Sequence, residues 1–149
     1  VVKQLSFFQD IDGEKTKQAV ETILERYRIY MLAVPDEQLP RITPSYSLVP
    51  PSNTNAFYSS TESAVIRKID KEREREEFIQ RMCWAVNKLS QRERELITKR
   101  YMTLEDVHDY MLYPELGMSE KTYYNVKKRA FYKLALALRI EIYKQKAPV

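Results

Sequence analysis

A chain of 149 residues with only two glycines has few places to reverse direction sharply, and one of the two, Gly117, sits between two helical patterns. The residues around it read Leu116-Gly117-Met118-Ser119. Glycine tolerates the left-handed backbone that a close helix-to-helix turn needs, and Ser119 is a good N-cap for whatever follows. Upstream, Ser90 with Glu93 three residues on forms a capping box that opens a short helix with Leu96, Ile97 and Tyr101 as its apolar side. A second helix is expected to include residues 104–112, with Leu104, Val107, Tyr110, Met111 and Leu112 belonging to it. Downstream, Tyr123, Val126, Ala130, Leu134 and Leu138 recur on one face of a long basic helix. Helix, short glycine turn and basic helix is the pattern of a helix-turn-helix.

Charge distribution sharpens that expectation. Net charge is +4, a mild bias. Residues 1–89 are balanced at 13 basic and 13 acidic side chains, so the surplus lies in the C-terminal part. Between residues 119 and 139, Lys121, Lys127, Lys128, Arg129, Lys133 and Arg139 face only Glu120 in opposite charge. Such a segment is suited to a polyanion, or to a solvated face if the turn in front of it is ignored.

The remainder is helical with one interruption. Asp12 or its vicinity caps a first helix to about Val34, with Val20, Ile23, Leu24, Tyr27, Tyr30, Met31 and Val34 as its stripe. Pro35, Pro40, Pro44, Pro50 and Pro51 exclude regular structure from residues 35–60. Leu39, Ile42, Tyr46, Leu48, Val49, Phe57 and Tyr58 make that stretch an extended strap laid across helices, the other reading being a flexible tether. Ser60 or Thr61 caps a long helix to Leu89. Its KEREREE run at residues 71–77 has no apolar residue and is expected in solvent. The fold class is therefore all-α, with residues 1–89 an N-terminal helical region and residues 90–149 the helix-turn-helix domain.

A reading helix enters the major groove by its first turns. That assigns Glu120, Lys121, Tyr124, Asn125 and Lys128 to base edges: Lys to guanine, Asn to adenine, Glu to cytosine N4, Tyr124 to sugar or a thymine methyl. Ser119, Lys127, Arg129 and Lys133 on the flanks, with Lys99 and Arg100 from the preceding helix, are assigned to phosphates. Arg129 has a second option, an internal pair with Glu95 or Glu105. Pro114 is expected to break or kink the helix before the turn, which leaves 107–111 or 115–116 as the scaffold beneath the reading helix.

Other chemistries find little support. His108 is the only histidine and lacks companion ligands for zinc. Cys83 is the only cysteine, beside Trp84 on an apolar face, and reads as a small buried hydrophobe in a reducing compartment. No cofactor, metal site or enzyme activity is expected, since no nucleophile, base and orienting group converge and Gly-rich phosphate loops are missing. No apolar run approaches a membrane span and no signal-peptide pattern opens the sequence, so a cytoplasmic location is expected.

Two resemblances add to this. LSQRERELITKRYM at residues 89–102 and LGMSEKTYYNVKKRAFYKLALAL at 116–138 resemble region 4 of bacterial sigma factors, down to the turn and the Arg129-Ala130…Lys133-Leu134 ending. ERYRIYMLA at 25–33, LPRITPSYSLVPPSNTNAFYSSTE at 39–62, KEREREEFI and the terminal IEIYK resemble, over nearly the whole chain, the ArpU family of phage-encoded transcriptional regulators. That resemblance implies a regulator of late phage genes, an activator in a bacterial host, acting on double-stranded DNA with host RNA polymerase as a possible partner. Homodimerisation is a further option, because one such unit has a small footprint. The competing readings are a DNA-packaging protein of the terminase small-subunit kind, which would form a large ring, and a protein-binding adaptor whose basic helix meets an acidic partner.

Overall fold

A computed structural model describes residues 10–34, 42 and 62–145, and within these the protein is all-α. Five helices follow one another: α1 Gly13–Ala33, α2 Glu62–Asn87, α3 Gln91–Tyr101, α4 Asp109–Glu115 and α5 Glu120–Leu138. The proposed strap and the Ser60 or Thr61 cap fall outside the described residues; of the strap's apolar side chains only Ile42 is described, half-buried against the core.

Local chemistry accounts for the helix ends. Asp12 caps α1 by accepting the Lys15 N–H at 3.1 Å. Val34 is extended, at φ −108° and ψ 129°, as the residue ahead of a proline must be. Thr16, Val20, Leu24 and Tyr27 then line the buried side of α1 at helical spacing. In α2 burial starts only at Phe78. Lys71–Glu74 and Glu77 are exposed, as the run of charges predicts, and the second half supplies Phe78, Ile79, Met82, Cys83, Ala85 and Val86 to the core.

The expected second helix of the C-terminal unit is corrected. Residues 102–108 are not helical, and α4 is only seven residues long. Thr103 Oγ1 accepts the Glu105 N–H at 3.3 Å, and the Arg28 guanidinium, reaching from α1, donates to Leu104 O at 3.3 Å and to Asp106 at 3.2 Å. These side-chain bonds offer the backbone an alternative to the helix. Leu104 and Val107, expected in this helix, lie outside it; Tyr110 and Met111 lie on α4 but are exposed, and Leu112 is its buried residue.

Pro114 lies inside α4, so it does not break the helix ahead of the turn. Its missing N–H forfeits one bond near the end of a short helix. The turn then closes in a Schellman arrangement: Met118 N–H reaches Tyr113 O at 2.9 Å, Gly117 N–H reaches Pro114 O at 3.0 Å, and Gly117 takes φ 67°.

Helix α5 is the centre of the packing and touches all four other helices. Tyr123, Ala130, Leu134 and Ala135 on it are fully enclosed. The described residues of 1–89 and of 90–149 thus share one core. A clasp fastens the two ends: Ile11 bridges Tyr143 in antiparallel fashion, Asp12 N–H donates to Ile142 O at 2.7 Å, and Lys144 N–H donates to Asp10 O at 2.9 Å. Thr16 Oγ1 both accepts the Ile142 N–H at 3.0 Å and donates to Ile142 O at 3.3 Å.

Candidate nucleic-acid interface

At 100° per residue, α5 divides into two faces. Tyr123, Val126, Lys127, Ala130, Phe131, Leu134 and Ala135 turn inward. Glu120, Lys121, Tyr124, Asn125, Lys128 and Arg129 are all exposed, so the base-reading set occupies the open face. Lys121, Asn125 and Lys128 sit near its middle, with Tyr124 and Arg129 at opposite edges. Ser119 caps the helix, accepting the Thr122 N–H at 3.2 Å and donating to Thr122 Oγ1 at 2.9 Å. Tyr124 is held edge-on against the Tyr123 ring (centroids 5.4 Å apart, 90° between planes), with Lys127 Nζ 5.8 Å from its own ring.

Several flanking cations are not where the sequence places them. Lys127, expected on phosphate, is buried: its position between Tyr123 and Phe131 on the helix turns it inward, and its ammonium lies 3.0 Å from Asp109 Oδ2. Tyr123 and Phe131, each four residues away along the core stripe, are the signal that could have shown this. Arg100, also expected on phosphate, donates to Asp109 Oδ1 at 3.1 Å. The Tyr123 hydroxyl donates to the same oxygen at 2.6 Å. Asp109 was not a sequence candidate, yet it ties α3, α4 and α5 together beneath the open face of α5. Burial raises its pKa, but the Tyr123 and Lys127 hydrogen bonds with the Lys127 and Arg100 charges outweigh that and hold it below the usual range.

The second anchor is Glu93, 2% exposed. It accepts from Lys133 Nζ at 2.6 Å and from Ser90 Oγ at 2.7 Å. Here too burial raises the carboxyl pKa while the bonds from Lys133 and Ser90 bring it below its ordinary value. Lys133, another expected phosphate contact, therefore serves a buried carboxylate. Lys99 lies 3.2 Å from Glu95 and 3.6 Å from Glu115, in exposed pairs worth ~0–1 kcal/mol that a phosphate can replace. Arg129 makes no ion pair among the described residues, neither with Glu95 nor with Glu105.

Elsewhere, Cys83 is buried beside the Tyr27 hydroxyl at 3.9 Å, and burial pushes its thiol up to about 11, which keeps it protonated and unreactive. His108 is exposed and stacks on Tyr110. Among the described residues no cluster of His, Cys, Asp and Glu is placed to hold a metal. No helix among them is long and apolar enough to cross a membrane.

No protein-family model matches the chain, and no solved structure matches it. Two curated proteins are similar over most of its length. An uncharacterized phage-related protein of Listeria innocua is 29% identical over 134 residues, covering 90% of this chain and 94% of that protein. Protein Gp66 of Listeria phage A118 is 25% identical over 134 residues, covering 90% of this chain and 92% of Gp66. The kinship of this all-helical chain is with phage-related proteins.

Proposed function

We propose that the protein is a sequence-specific double-stranded DNA-binding transcriptional regulator, an activator of late phage genes, with α5 as its reading helix. One observation carries this. Glu120, Lys121, Tyr124, Asn125 and Lys128 share the open face of a helix whose other face is anchored by Tyr123, Lys127 and Lys133 to α3 and α4. A rigidly mounted helix with donors and one acceptor on its outer face fits the hydrogen-bonding pattern of a major groove. The similarity to phage-related proteins supports the phage setting. Ile66 and Ile69, exposed on the half of α2 that buries nothing, suit contact with a second copy or with host RNA polymerase.

The test is selection of duplexes from a random-sequence pool at several salt concentrations, with wild type, Asn125→Ala and Lys128→Ala. A recovered consensus whose preference the variants lose, at about 1–3 kcal/mol per base position, supports the reading. Salt-dependent binding without any consensus argues for packaging or architecture. No binding at low salt removes DNA as the partner.

A further inference from the structure

Of the five cations the sequence assigns to phosphate, Lys99, Arg100, Lys127 and Lys133 each face a carboxylate and only Arg129 stands apart. A helix seated in a groove about 12 Å wide leaves the flanking strands to neighbouring elements. Among the helices packed on α5 are α1 and α3, and the contacts of each descend α5 as they climb their own helix.

The first is α1. A Cβ at Gly13 would sit 3.0 Å from the Tyr132 hydroxyl, and further along Lys17 and Glu21 share one groove with Tyr124 and Lys127. With equal rise on both helices, that register sets Lys17 level with Lys128 and Glu21 level with Tyr124. The second is α3, whose Arg100 and Tyr101 line that same groove. Glu93 meets Lys133, and Arg100 comes to the Asp109 carboxylate beside Lys127. This sets Glu93 level with Lys133 and Arg92 level with Leu134. Lys17 and Arg92 are exposed, and neither makes an ion pair among the described residues.

We propose that Lys17 of α1 and Arg92 of α3 are phosphate contacts of this protein, holding the DNA backbone beside α5. The inference rests on α5 being the DNA-reading helix. It makes α1 part of the nucleic-acid interface. Glu21, one turn beyond Lys17, repels a phosphate near Tyr124 and so confines the α1 contact to the Lys128 end.

The experiment measures affinity for a mixed-sequence duplex of about 30 base pairs across a series of KCl concentrations. It compares wild type, Lys17→Ala, Arg92→Ala and, as a control on the exposed half of α2, Lys68→Ala. All three positions are exposed, and circular dichroism checks that the fold is kept. Lys17→Ala and Arg92→Ala are each expected to weaken binding several-fold on any sequence. Each also lowers the slope of log affinity against log salt by about 0.9, the increment for one phosphate contact. Lys68→Ala changes neither. Wild-type binding with unchanged slopes in both variants overturns the proposal while leaving α5 as the reader. Absence of wild-type binding overturns both.

Discussion

Lys127 on α5 and Asp109 at the start of α4 meet at 3.0 Å beneath the open face of α5, with Tyr123 and Arg100 completing the carboxylate's partners. The pair joins the two helices on either side of the glycine turn and fixes the angle between them. Asp109→Asn removes the charge that Lys127 and Arg100 surround. The expected cost is about 3 kcal/mol, at the low end for breaking a buried pair because both groups keep some contact with water. Lys127→Met should cost only about 1 kcal/mol, since Asp109 retains Tyr123 and Arg100 and the lysine stem is already packed. Urea unfolding measures both. A Lys127→Met variant of unchanged stability but lower salt slope in DNA binding would return Lys127 to the phosphate backbone.

Acid should destabilise the protein through Asp109 and Glu93. Both carboxyls titrate below their ordinary values in the folded state. Their contribution is therefore fully present above the unfolded reference values, about 3.9 and 4.3, and is lost as pH falls through the folded values. The urea midpoint is expected to fall on the acid side of about pH 4. Asp109→Asn and Glu93→Gln, each less stable at neutral pH, should flatten that acid limb. An acid limb unchanged in both variants would place the sensitivity elsewhere.

Among the described residues two hold left-handed backbone at helix ends, and they predict opposite effects. Gly117, φ 67°, has open space where a Cβ would stand, so Gly117→Ala carries a backbone cost alone, about 1 kcal/mol. Arg139, at φ 57° and ψ 43°, closes α5 in the same way, with Ile140 N–H reaching Ala135 O at 2.9 Å. Arg139→Gly should therefore raise stability by about 0.5–1 kcal/mol. Equilibrium denaturation of the two variants reads both signs.

The clasp between the ends predicts a third kind of defect. Thr16→Val keeps the shape of a side chain that is 2% exposed but leaves the Ile142 N–H unpaired, at a cost of about 1–2 kcal/mol. Hydrogen exchange should quicken first at the Ile142 amide. If exchange there is unchanged, the clasp does not hold the end of the chain.

Periodicity and end signals in the sequence were enough for α1, for the body of α2, for the Ser90 and Ser119 caps and for the left-handed Gly117. These depend on neighbours within a turn, and a stripe such as Val20, Leu24, Tyr27 or Tyr123, Ala130, Leu134 is a local record of which face is dry. The open face of α5 was legible for the same reason, as the complement of its buried one. What the tertiary structure alone decided is which charges stay available. A lysine reads as a surface residue until a carboxylate from another helix arrives beside it. Asp109 lies 18 residues from Lys127, and Glu93 lies 40 from Lys133. The unwinding of residues 102–108 has the same origin, since Arg28 reaches Asp106 across 78 residues of chain. Helices record their own faces, but long-range ion pairs depend on how those faces are brought together.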